Sequence, residues 1–449
     1  MVSQPRRIVL TNVGSRGDVQ PYCLVGKALE ARGHHVTIAA EKRVENIVVD
    51  EYKLPFRCIA GDFVGILFDP NYTERLYRAR NFEFLRMTGE WTERFDVDRS
   101  ELQASIVAAL EGAEVVVSGY LIALYTYSIC EANGATWIPL YLGNAALPTS
   151  EYPHWLVEDL TFGFSCLNKW GHSMITQKLW SDRRDEVNRW RQETLQLPPI
   201  TSKFGIVDSM LANESIAILD ACSLVLSGPH QRVPLDYPPG KLNSVGFIFP
   251  PEDEPGSDAL QAFLKASDLP VIYIGFGSMP VLEPLALVQL AIQVCQNAKC
   301  RCVIATGSTV NKLAECAALA STYADTIFLE TNVVSHMWLF PRMSCLLHHC
   351  GMGTTGVALR SGTPQIPCPK FIDQPHNAKV LVQLGVALQS LSGDKMTVQN
   401  VTRAVQQVLA NERNVQGRAK EVGAIVANES DKNLERISDL ILAAPPTFA

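Results

Sequence analysis

The run Leu346-Leu-His-His-Cys-Gly-Met-Gly-Thr-Thr-Gly356 combines a short apolar strand, two histidines and a glycine-rich turn that opens a helix. A strand that ends in such a turn exposes backbone N–H groups at a helix N-terminus, where anions bind. No Lys follows the glycines and the spacing is not Gly-x-Gly-x-x-Gly, so the run is neither a P-loop nor a dinucleotide fingerprint. A His beside the turn adds a donor that could bind a diphosphate without a metal ion.

A carboxylate and an amide follow this turn at Asp373 and Gln374. Carboxylate and amide groups together accept from and donate to the hydroxyls of a sugar. The anion site and this pair therefore predict a binding site for a nucleotide diphosphate sugar.

Length and composition restrict the protein class. The 449 residues are too many for one small core and favour two domains. The formal net charge of −7 argues against a nucleic-acid surface. We expect no signal peptide before the first strand. The longest apolar run (115–130) is broken by polar residues, and the 12 cysteines lack CxxC pairs. We therefore expect a cytoplasmic protein with free thiols, no nucleic-acid partner and at most peripheral membrane contact.

Apolar strands alternate with amphipathic helices in both halves of the chain, which predicts an α/β fold with parallel sheets. We expect two Rossmann-like domains that face each other across an interdomain cleft. The predicted N-terminal domain covers 1–238, with 224–227 as its last strand and a Trp-rich insertion near 152–203. A turn-rich linker at 239–256 leads into the C-terminal domain at 257–430, and a final amphipathic helix occupies 431–449.

Four motifs in order along the chain resemble those of GT-B fold UDP-glycosyltransferases, in the sterol and glycolipid glucosyltransferase branch. They are Asn12-Val-Gly-Ser-Arg-Gly-Asp-Val-Gln-Pro21, Val271-Ile-Tyr-Ile-Gly-Phe-Gly-Ser-Met279, His336-Met-Trp-Leu-Phe-Pro-Arg342 and His348-His-Cys-Gly-Met-Gly-Thr-Thr355, the last followed by Arg360-Ser-Gly-Thr-Pro364 and Asp373-Gln-Pro375. Cys350 stands where the branch usually has Gly, although His-Cys-Gly is the form found in plant enzymes. The resemblance implies a GT-B fold whose C-terminal helix packs back on the N-terminal domain.

The resemblance also implies roles for residues of the C-terminal half. The second histidine of the pair, His349, would meet the donor diphosphate, and His348 would be a packed strand-end residue. The backbone and hydroxyls of the turn would bind the same group, with Ser278 as a further phosphate ligand. The donor base would lie on the loop 333–335, where Ser335 replaces a usual Pro. The predicted set comprises Ser278, His349, Gly351, Gly353, Thr354 and Thr355 for the diphosphate, Val333, Val334 and Ser335 for the base, and Asp373 and Gln374 for the sugar.

A carboxylate at Asp18 follows the first strand and precedes a helix. It could act as general base for an acceptor hydroxyl, or it could cap the helix; the two roles are compatible. The glycines Gly14 and Gly17 would let it project, and Ser15 and Arg16 lie beside it. Arg16 could orient Asp18, touch a phosphate or form a surface ion pair.

The acceptor is less closely defined. Tyr152-Pro-His154 resembles the Phe-Pro-His string of sterol glucosyltransferases, and the Trp-rich insertion suits a lipophilic pocket. His154 could also be a structural turn residue. We expect an inverting, metal-independent transfer of glucose or a related hexose from a UDP- or TDP-sugar co-substrate to a sterol, hydroxy lipid, phenolic or polyketide hydroxyl. No tightly bound cofactor and no metal site are expected, because Asp96-Val-Asp98 looks like a helix cap.

Two other functions fit the same motifs. One is a GT-B nucleotide-sugar epimerase or hydrolase, which needs no acceptor. The other is a non-catalytic partner subunit that binds a nucleotide sugar.

Overall fold

The computed structural model describes residues 4–79, 83, 86–87, 98–143, 147–158, 164–251, 255–277, 279, 281–305 and 314–448. The chain forms two compact units. Unit 1 comprises Met1–Ile66, Asn81–Ile248 and Glu429–Ala449, and unit 2 comprises Leu67–Arg80 and Phe249–Asn428.

Unit 1 is built on a seven-stranded parallel sheet in the order β3-β2-β1-β4-β5-β6-β7. Its interior strand β1 is apolar on both faces, with Ile8, Val9 and Leu10 all buried, as parallel strands covered by helices require. The strands are β1 (Arg7–Thr11), β2 (His35–Glu41), β3 (Phe56–Ile59), β4 (Val115–Ser118), β5 (Thr136–Tyr141), β6 (Ile218–Asp220) and β7 (Leu242–Ser244).

Helices cover this sheet, and two clusters of buried apolar residues form its core. The helices that carry residues of unit 1 are α1 (Arg16–Ala31), α3 (Arg99–Ala109), α4 (Ala123–Asn133), α5 (Ser165–Ser181), α6 (Arg184–Glu193), α7 (Ile206–Ala212) and α16 (Asn433–Ala443). The Trp-rich segment is helical, and Trp180 and Trp190 are buried in one of the two clusters.

The C-terminal helix α16 lies in unit 1. Its Ile437 and Ile441 are fully buried in the cluster that also contains residues of α1. The side chain of Asn433 donates to the carbonyl of Phe247 at 2.7 Å, and Arg32 pairs with Asp439. The helix is therefore held by apolar burial and by polar contacts of Asn433 and Asp439.

Unit 2 has a five-stranded parallel sheet in the order β10-β9-β8-β11-β12. Its strands are β8 (Val271–Gly275), β9 (Arg301–Ile304), β10 (Ile327–Leu329), β11 (Cys345–His348) and β12 (Gln365–Pro367). Its helices are α2 (Pro70–Arg78), α8 (Asp258–Lys265), α9 (Pro284–Ala298), α10 (Ala314–Thr322), α11 (His336–Leu339), α12 (Met352–Arg360), α13 (Gln374–Gln383), α14 (Val398–Leu409) and α15 (Val415–Glu429, whose last residue falls in unit 1).

Both sheets reverse their strand order at one place, between β1 and β4 in unit 1 and between β8 and β11 in unit 2. The loops that leave neighbouring strands at such a switch point diverge, and ligands of open α/β sheets bind in the crevice between them. The two α/β sheets confirm the predicted fold class.

Three predicted boundaries differ from the structure. The segment predicted as the last strand, 224–227, is a short 3-10 helix (Leu224–Leu226), and the sheet is completed instead by β6 and β7. The start of the predicted linker contains β7, so the units divide at Ile248. A short segment of the N-terminal half, with α2, clusters with unit 2. Apolar composition alone could not separate a buried 3-10 turn from a short strand.

No helix among the described residues is long and apolar enough to cross a membrane.

Candidate active site

The glycine-rich turn after β11 forms the N-terminus of α12, at the switch point of unit 2. The N-cap residue is Gly351, which has no side chain to accept from the N–H groups of the first turn. The described residues of that turn include no acidic side chain. The positive end of the helix is therefore available to an anionic group. We call residues 349–355 the anion cradle.

His349 is wedged between two glycines of neighbouring loops. A Cβ atom on Gly351 would lie 2.4 Å from its Nε2, and one on Gly277 would lie 3.0 Å from its Cε1. The side chain is only 7% exposed, and its Nδ1 is buried without a hydrogen-bond partner. Burial and the neighbouring His348, His336 and Lys370 lower the pKa of His349 to about 3, so the ring is neutral.

A second buried polar atom of the anion cradle also has no partner, the Oγ1 of Thr355. The side chain of Thr355 is fully buried, whereas Thr354 is half-buried and Gly353 is exposed. Buried polar atoms are ordinarily hydrogen-bonded, so two unpartnered ones beside an uncapped helix N-terminus favour a ligand rich in acceptor oxygens. A diphosphate has this chemistry.

His348 has a structural role. Its Nε2 donates to Oε1 of Gln365 at 2.8 Å, and its Nδ1 accepts the backbone N–H of Cys350 at 3.1 Å. The side chain is fully buried, as the resemblance implied, and burial lowers its pKa to about 4. The two bonds fix the tautomer and the path of the chain into the turn.

Cys350 has a positive φ of 65°, the left-handed region that disfavours residues with a side chain. This explains why a Gly would be the easier residue here. The turn is held in place because the side-chain amide of Asn377 donates both to the carbonyl of Cys350 at 3.0 Å and to the carboxylate of Asp373 at 2.9 Å. Asn377 therefore connects the anion cradle with the predicted sugar-binding pair.

Asp373 and Gln374 lie at the start of α13, after the half-exposed Ile372. Ile372 has a φ of +60°, a strained conformation for a β-branched residue and one that clusters at functional sites. Gln374 is buried, and its Oε1 accepts the backbone N–H groups of Lys370 at 2.9 Å and of Phe371 at 3.3 Å. Because Oε1 is occupied in this way, Nε2 is the atom that remains to donate to a sugar hydroxyl.

The predicted base-binding loop is formed by 333–335. Val333 is 84% exposed, Val334 packs on the apolar cluster of unit 2, and Ser335 is the N-cap of α11. Trp338 packs against the same cluster and stacks with the Arg342 guanidinium. Ser278, the further predicted phosphate ligand, lies outside the described residues.

The corresponding turn of unit 1 lies at the N-terminus of α1. Asp18 lies in the first turn of the helix rather than before it as the sequence had indicated. Its Oδ2 accepts the N–H of Ser15 at 2.7 Å and the hydroxyl of Ser15 at 2.9 Å. Oδ1 makes no hydrogen bond within the described part of the chain. Burial raises the pKa of Asp18, and the Ser15 bonds offset part of this rise.

Gly14 makes the position of Asp18 possible, because its φ is +131° and a Cβ there would lie 2.4 Å from Oδ2 of Asp18. Gly17 is exposed and sterically unconstrained. Arg16 forms a two-pronged ion pair with Glu51, which is the surface ion pair among its three predicted roles.

Glu41, at the end of β2, was not singled out from the sequence. Its side chain is fully buried, and its two oxygens accept the N–H of Gly14 at 2.6 Å and the N–H of Phe63. Burial raises the pKa of Glu41 to about 7, against the opposing effect of these two bonds. It holds the turn that carries Asp18.

His154 is buried against other rings of unit 1. Its Nδ1 accepts the N–H of Leu156 at 3.2 Å, and its ring stacks on Trp155 and meets His172 edge to face. These contacts are those of a structural turn residue, the second role that the sequence allowed.

Comparison with known proteins finds a match for one segment in each half of the chain. Residues 8–115 match the glycosyltransferase family 28 N-terminal domain, and residues 324–432 match the erythromycin biosynthesis protein CIII-like C-terminal domain. The whole chain superposes on the glycotransferase of kitacinnamycin with a TM-score of 0.66 at 18% identity, covering 99% of this chain and 100% of that one. The chain therefore has the GT-B fold.

Two further relatives are informative. This GT-B chain is 30% identical to a sterol 3-beta-glucosyltransferase of Yarrowia lipolytica over 434 residues, which is 94% of this chain and 28% of that protein. It spans less than a third of the length of that relative. The Streptomyces sp. SF2575 glycosyltransferase SsfS6, solved in complex with thymidine diphosphate, gives a TM-score of 0.56 at 17% identity, covering 97% of this chain and 99% of that one.

Three residues that the sequence did not single out hold the site in place. Glu41 contacts the backbone of Gly14, Asn377 contacts Cys350 and the predicted sugar-binding Asp373, and Gln365 contacts the structural His348. Only the i, i+4 spacing of Asp373 and Asn377 could have indicated such a contact. Among the described residues, no group of three or more His, Cys, Asp or Glu side chains is placed to hold a metal ion.

Proposed function

We propose that this protein is an inverting glycosyltransferase that moves glucose, or a related hexose, from a UDP-sugar to a hydroxyl of a lipophilic acceptor. The observation that carries the proposal is the anion cradle, where an uncapped helix N-terminus adjoins two buried polar atoms without partners. A nucleoside diphosphate supplies the charge and the acceptor oxygens that these groups match.

In the proposed reaction, Asp18 takes the proton of the acceptor hydroxyl through Oδ1. The acceptor oxygen attacks the anomeric carbon, the bond from that carbon to the diphosphate breaks, and the nucleoside diphosphate leaves with inversion at the carbon. The raised pKa of Asp18 supports this role, because a stronger base accepts a proton more readily in the transition state.

The leaving diphosphate would be stabilised by His349, the hydroxyls of Thr354 and Thr355, and the N–H groups at Gly351 and Gly353. Donors fixed in place before the reaction are the usual source of the largest catalytic effect. Asp373 and the Nε2 of Gln374 would bind the sugar hydroxyls. The exposed Val333, with Val334 and Ser335, would meet the base, and no metal ion is required in this scheme.

The acceptor class rests on the relatives named as sterol 3-beta-glucosyltransferases. A sterol is the first candidate, and hydroxy lipids, phenolics and polyketides are the others. The thymidine diphosphate bound to SsfS6 makes a TDP-sugar the second candidate donor. Val357 packs on the apolar cluster of unit 2 and has no polar group that could bind a ribose hydroxyl. It therefore does not select a ribose over a deoxyribose.

The test is a mass-spectrometric product screen. Purified protein would be incubated with UDP-glucose or TDP-glucose, pooled acceptors (a sterol, a hydroxy fatty acid, a flavonoid and an anthraquinone) and EDTA. A hexose adduct on one acceptor is expected. Free glucose without an adduct would point to a hydrolase, and nucleotide binding without any turnover would point to a non-catalytic subunit.

A further inference from the structure

The loop between β12 and α13 brings one cationic side chain close to the anion cradle. Lys370 lies three residues after the end of β12, and its backbone N–H is fixed by the Oε1 of Gln374. Because β12 is the parallel neighbour of β11, this loop leaves the same edge of the sheet as the glycine-rich turn. A charge on this loop is therefore positioned by the strands that position His349.

Within the described part of the chain, the ammonium group of Lys370 contacts aromatic rings and a sulfur atom rather than an anion. Its Nζ lies over the ring of Phe276 at 5.2 Å and over the ring of Tyr77 at 5.7 Å, and it contacts the sulfur of Met396 at 4.0 Å. No carboxylate of the described chain forms an ion pair with it. The side chain is half-buried, and desolvation lowers its pKa. Partly buried charges are ordinarily paired, and two aromatic faces compensate only a fraction of the lost hydration.

The surroundings of Lys370 connect it directly to the anion cradle. Phe276 stands between Gly275 and Gly277, and Gly277 is the glycine that faces Cε1 of His349. The Lys370 charge is one of the influences that lower the pKa of His349, after burial, His348 and His336. The Lys370 ammonium lies over Phe276 and the His349 ring faces Gly277, so the two side chains contact neighbouring residues of one loop.

We propose that Lys370 is the counter-ion of the donor diphosphate, held in place by the rings of Phe276 and Tyr77. The inference rests on the proposed function, since it requires a nucleoside diphosphate in the anion cradle. A P-loop supplies its Lys immediately after the glycines, whereas here the cation comes from the next loop of the sheet. It complements the neutral His349, which can donate a hydrogen bond but carries no charge.

This assignment has a direct consequence for catalysis. Negative charge grows on the diphosphate as its bond to the anomeric carbon breaks. A nearby ammonium in a partly desolvated site stabilises that charge more than it stabilises the bound donor. Loss of Lys370 is therefore expected to reduce both nucleotide affinity and turnover.

The test is calorimetric titration of the full chain with UDP and with uridine. Lys370→Met removes the charge, Lys370→Arg retains it, and Lys379→Met on the exposed side of α13 is the matched control. We expect Lys370→Met to weaken UDP binding by roughly 10- to 100-fold, the usual contribution of a hydrogen bond to a charged group. Uridine binding should be unchanged, Lys370→Arg should recover part of the UDP affinity, and the salt dependence of UDP binding should become shallower.

The outcomes separate this inference from the proposed function. Equal losses for UDP and uridine in Lys370→Met would show a structural role, and an unchanged UDP affinity would remove Lys370 from the site; either result overturns the inference. If the wild-type protein binds neither UDP nor TDP, both the proposed function and this inference are wrong. If Lys370→Met does not fold, as judged by thermal unfolding, the polar variant Lys370→Gln gives the same comparison.

Discussion

The two switch points of this molecule have the same strand topology but opposite chemistry. In unit 1 the turn at the N-terminus of α1 holds two carboxylates, the half-buried Asp18 and the buried Glu41, whose pKa values are raised. In unit 2 the turn at the N-terminus of α12 is accompanied by His349 and Lys370, whose pKa values are lowered. Burial is the largest cause of all four shifts, yet it acts on acids in one unit and on bases in the other.

The difference begins with how each helix N-terminus is satisfied. The α1 N-terminus is occupied by the chain itself, because the Asp18 carboxylate binds Ser15 within the first turn. The α12 N-terminus begins at a glycine and has no carboxylate of its own. A helix end that already holds an anion repels another, whereas an open one attracts it. The same supersecondary unit can therefore serve as a base in one half and as an anion site in the other.

The largest effect is expected from removing the carboxylate of Asp18 in unit 1. Asp18→Asn should lower the rate of glycosyl transfer by roughly 10²- to 10⁴-fold, the usual contribution of a general base. UDP affinity should stay within error, because the anion cradle is unchanged. Asn can still accept from Ser15, so the helix should fold normally. Steady-state kinetics and UDP calorimetry would be measured together, with the exposed Asp50→Asn as control.

If Asp18→Asn retained transfer at a rate close to wild type, Asp18 would be a helix cap alone. If UDP affinity fell together with the rate, the separation of roles between the two turns would be wrong.

The second prediction concerns the neutral side chain of His349 in unit 2, which would donate a hydrogen bond to the diphosphate. His349→Ala should weaken UDP binding by roughly 10-fold or more, because it removes a hydrogen bond to a charged group. The exposed His35→Ala of unit 1 should leave binding unchanged. Calorimetric titration measures both. Equal UDP affinity in wild type and His349→Ala would exclude this side chain from the diphosphate site.

The two glycines of the anion cradle provide a sharper comparison. A Cβ at Gly351 would collide with the His349 ring, whereas a Cβ at Gly353 meets nothing within 4 Å. Gly351→Ala should therefore lower both stability and UDP affinity. Gly353→Ala should keep the wild-type melting temperature and lower UDP affinity by about fivefold or more, since crowding a packed contact costs about 1 kcal/mol at the least.

The informative variant is Gly353→Ala. Unchanged UDP affinity in this variant would mean that the diphosphate does not approach the first turn of α12. Thermal unfolding with and without UDP gives both quantities.

The smallest effect is expected at Glu41 and depends on pH. Its folded-state pKa of about 7 lies above the ordinary value of 4.5, so the folded protein binds this proton more tightly than the unfolded chain. The corresponding stabilisation is complete below pH 4.5 and is lost as the pH rises through about 7. Glu41→Gln cannot titrate and should flatten this part of the curve of unfolding free energy against pH.

Urea unfolding between pH 4 and pH 8 would measure the effect, with the exposed Glu111→Gln as control. The raised pKa of Glu41 would be contradicted if the wild-type unfolding free energy did not fall over this pH range, or if Glu41→Gln showed the same fall.

The fold could be predicted because buried parallel strands are apolar on both faces, and this pattern repeats in both halves. The error at 224–227 shows the limit of that pattern, since the three apolar residues of the 3-10 turn are as hydrophobic as a short strand. The division between the units, after Ile248, lies within the predicted linker, but the predicted start of that linker was wrong. Turn residues predicted a linker at 239–256, yet three residues of that stretch add a strand to the sheet.

The candidate site was predictable where its residues are close in sequence. The Gly-rich turn, Asp18 and the Asp373–Gln374 pair each lie beside a recognisable strand or helix end. Glu41 and Lys370 were not predictable, because their significance depends on burial and on partners distant in the chain. Lys370, for example, lies over the ring of Tyr77, which is on a helix of the N-terminal half of the sequence.

The most direct test of the difference between the two turns is a crystal structure of the protein with UDP. We expect the diphosphate within hydrogen-bond distance of His349 and the first N–H groups of α12, with the Lys370 ammonium beside it. The turn from Gly14 to Asp18 should carry no phosphate. A diphosphate bound at the N-terminus of α1, or away from α12, would contradict the division of roles proposed for the two units.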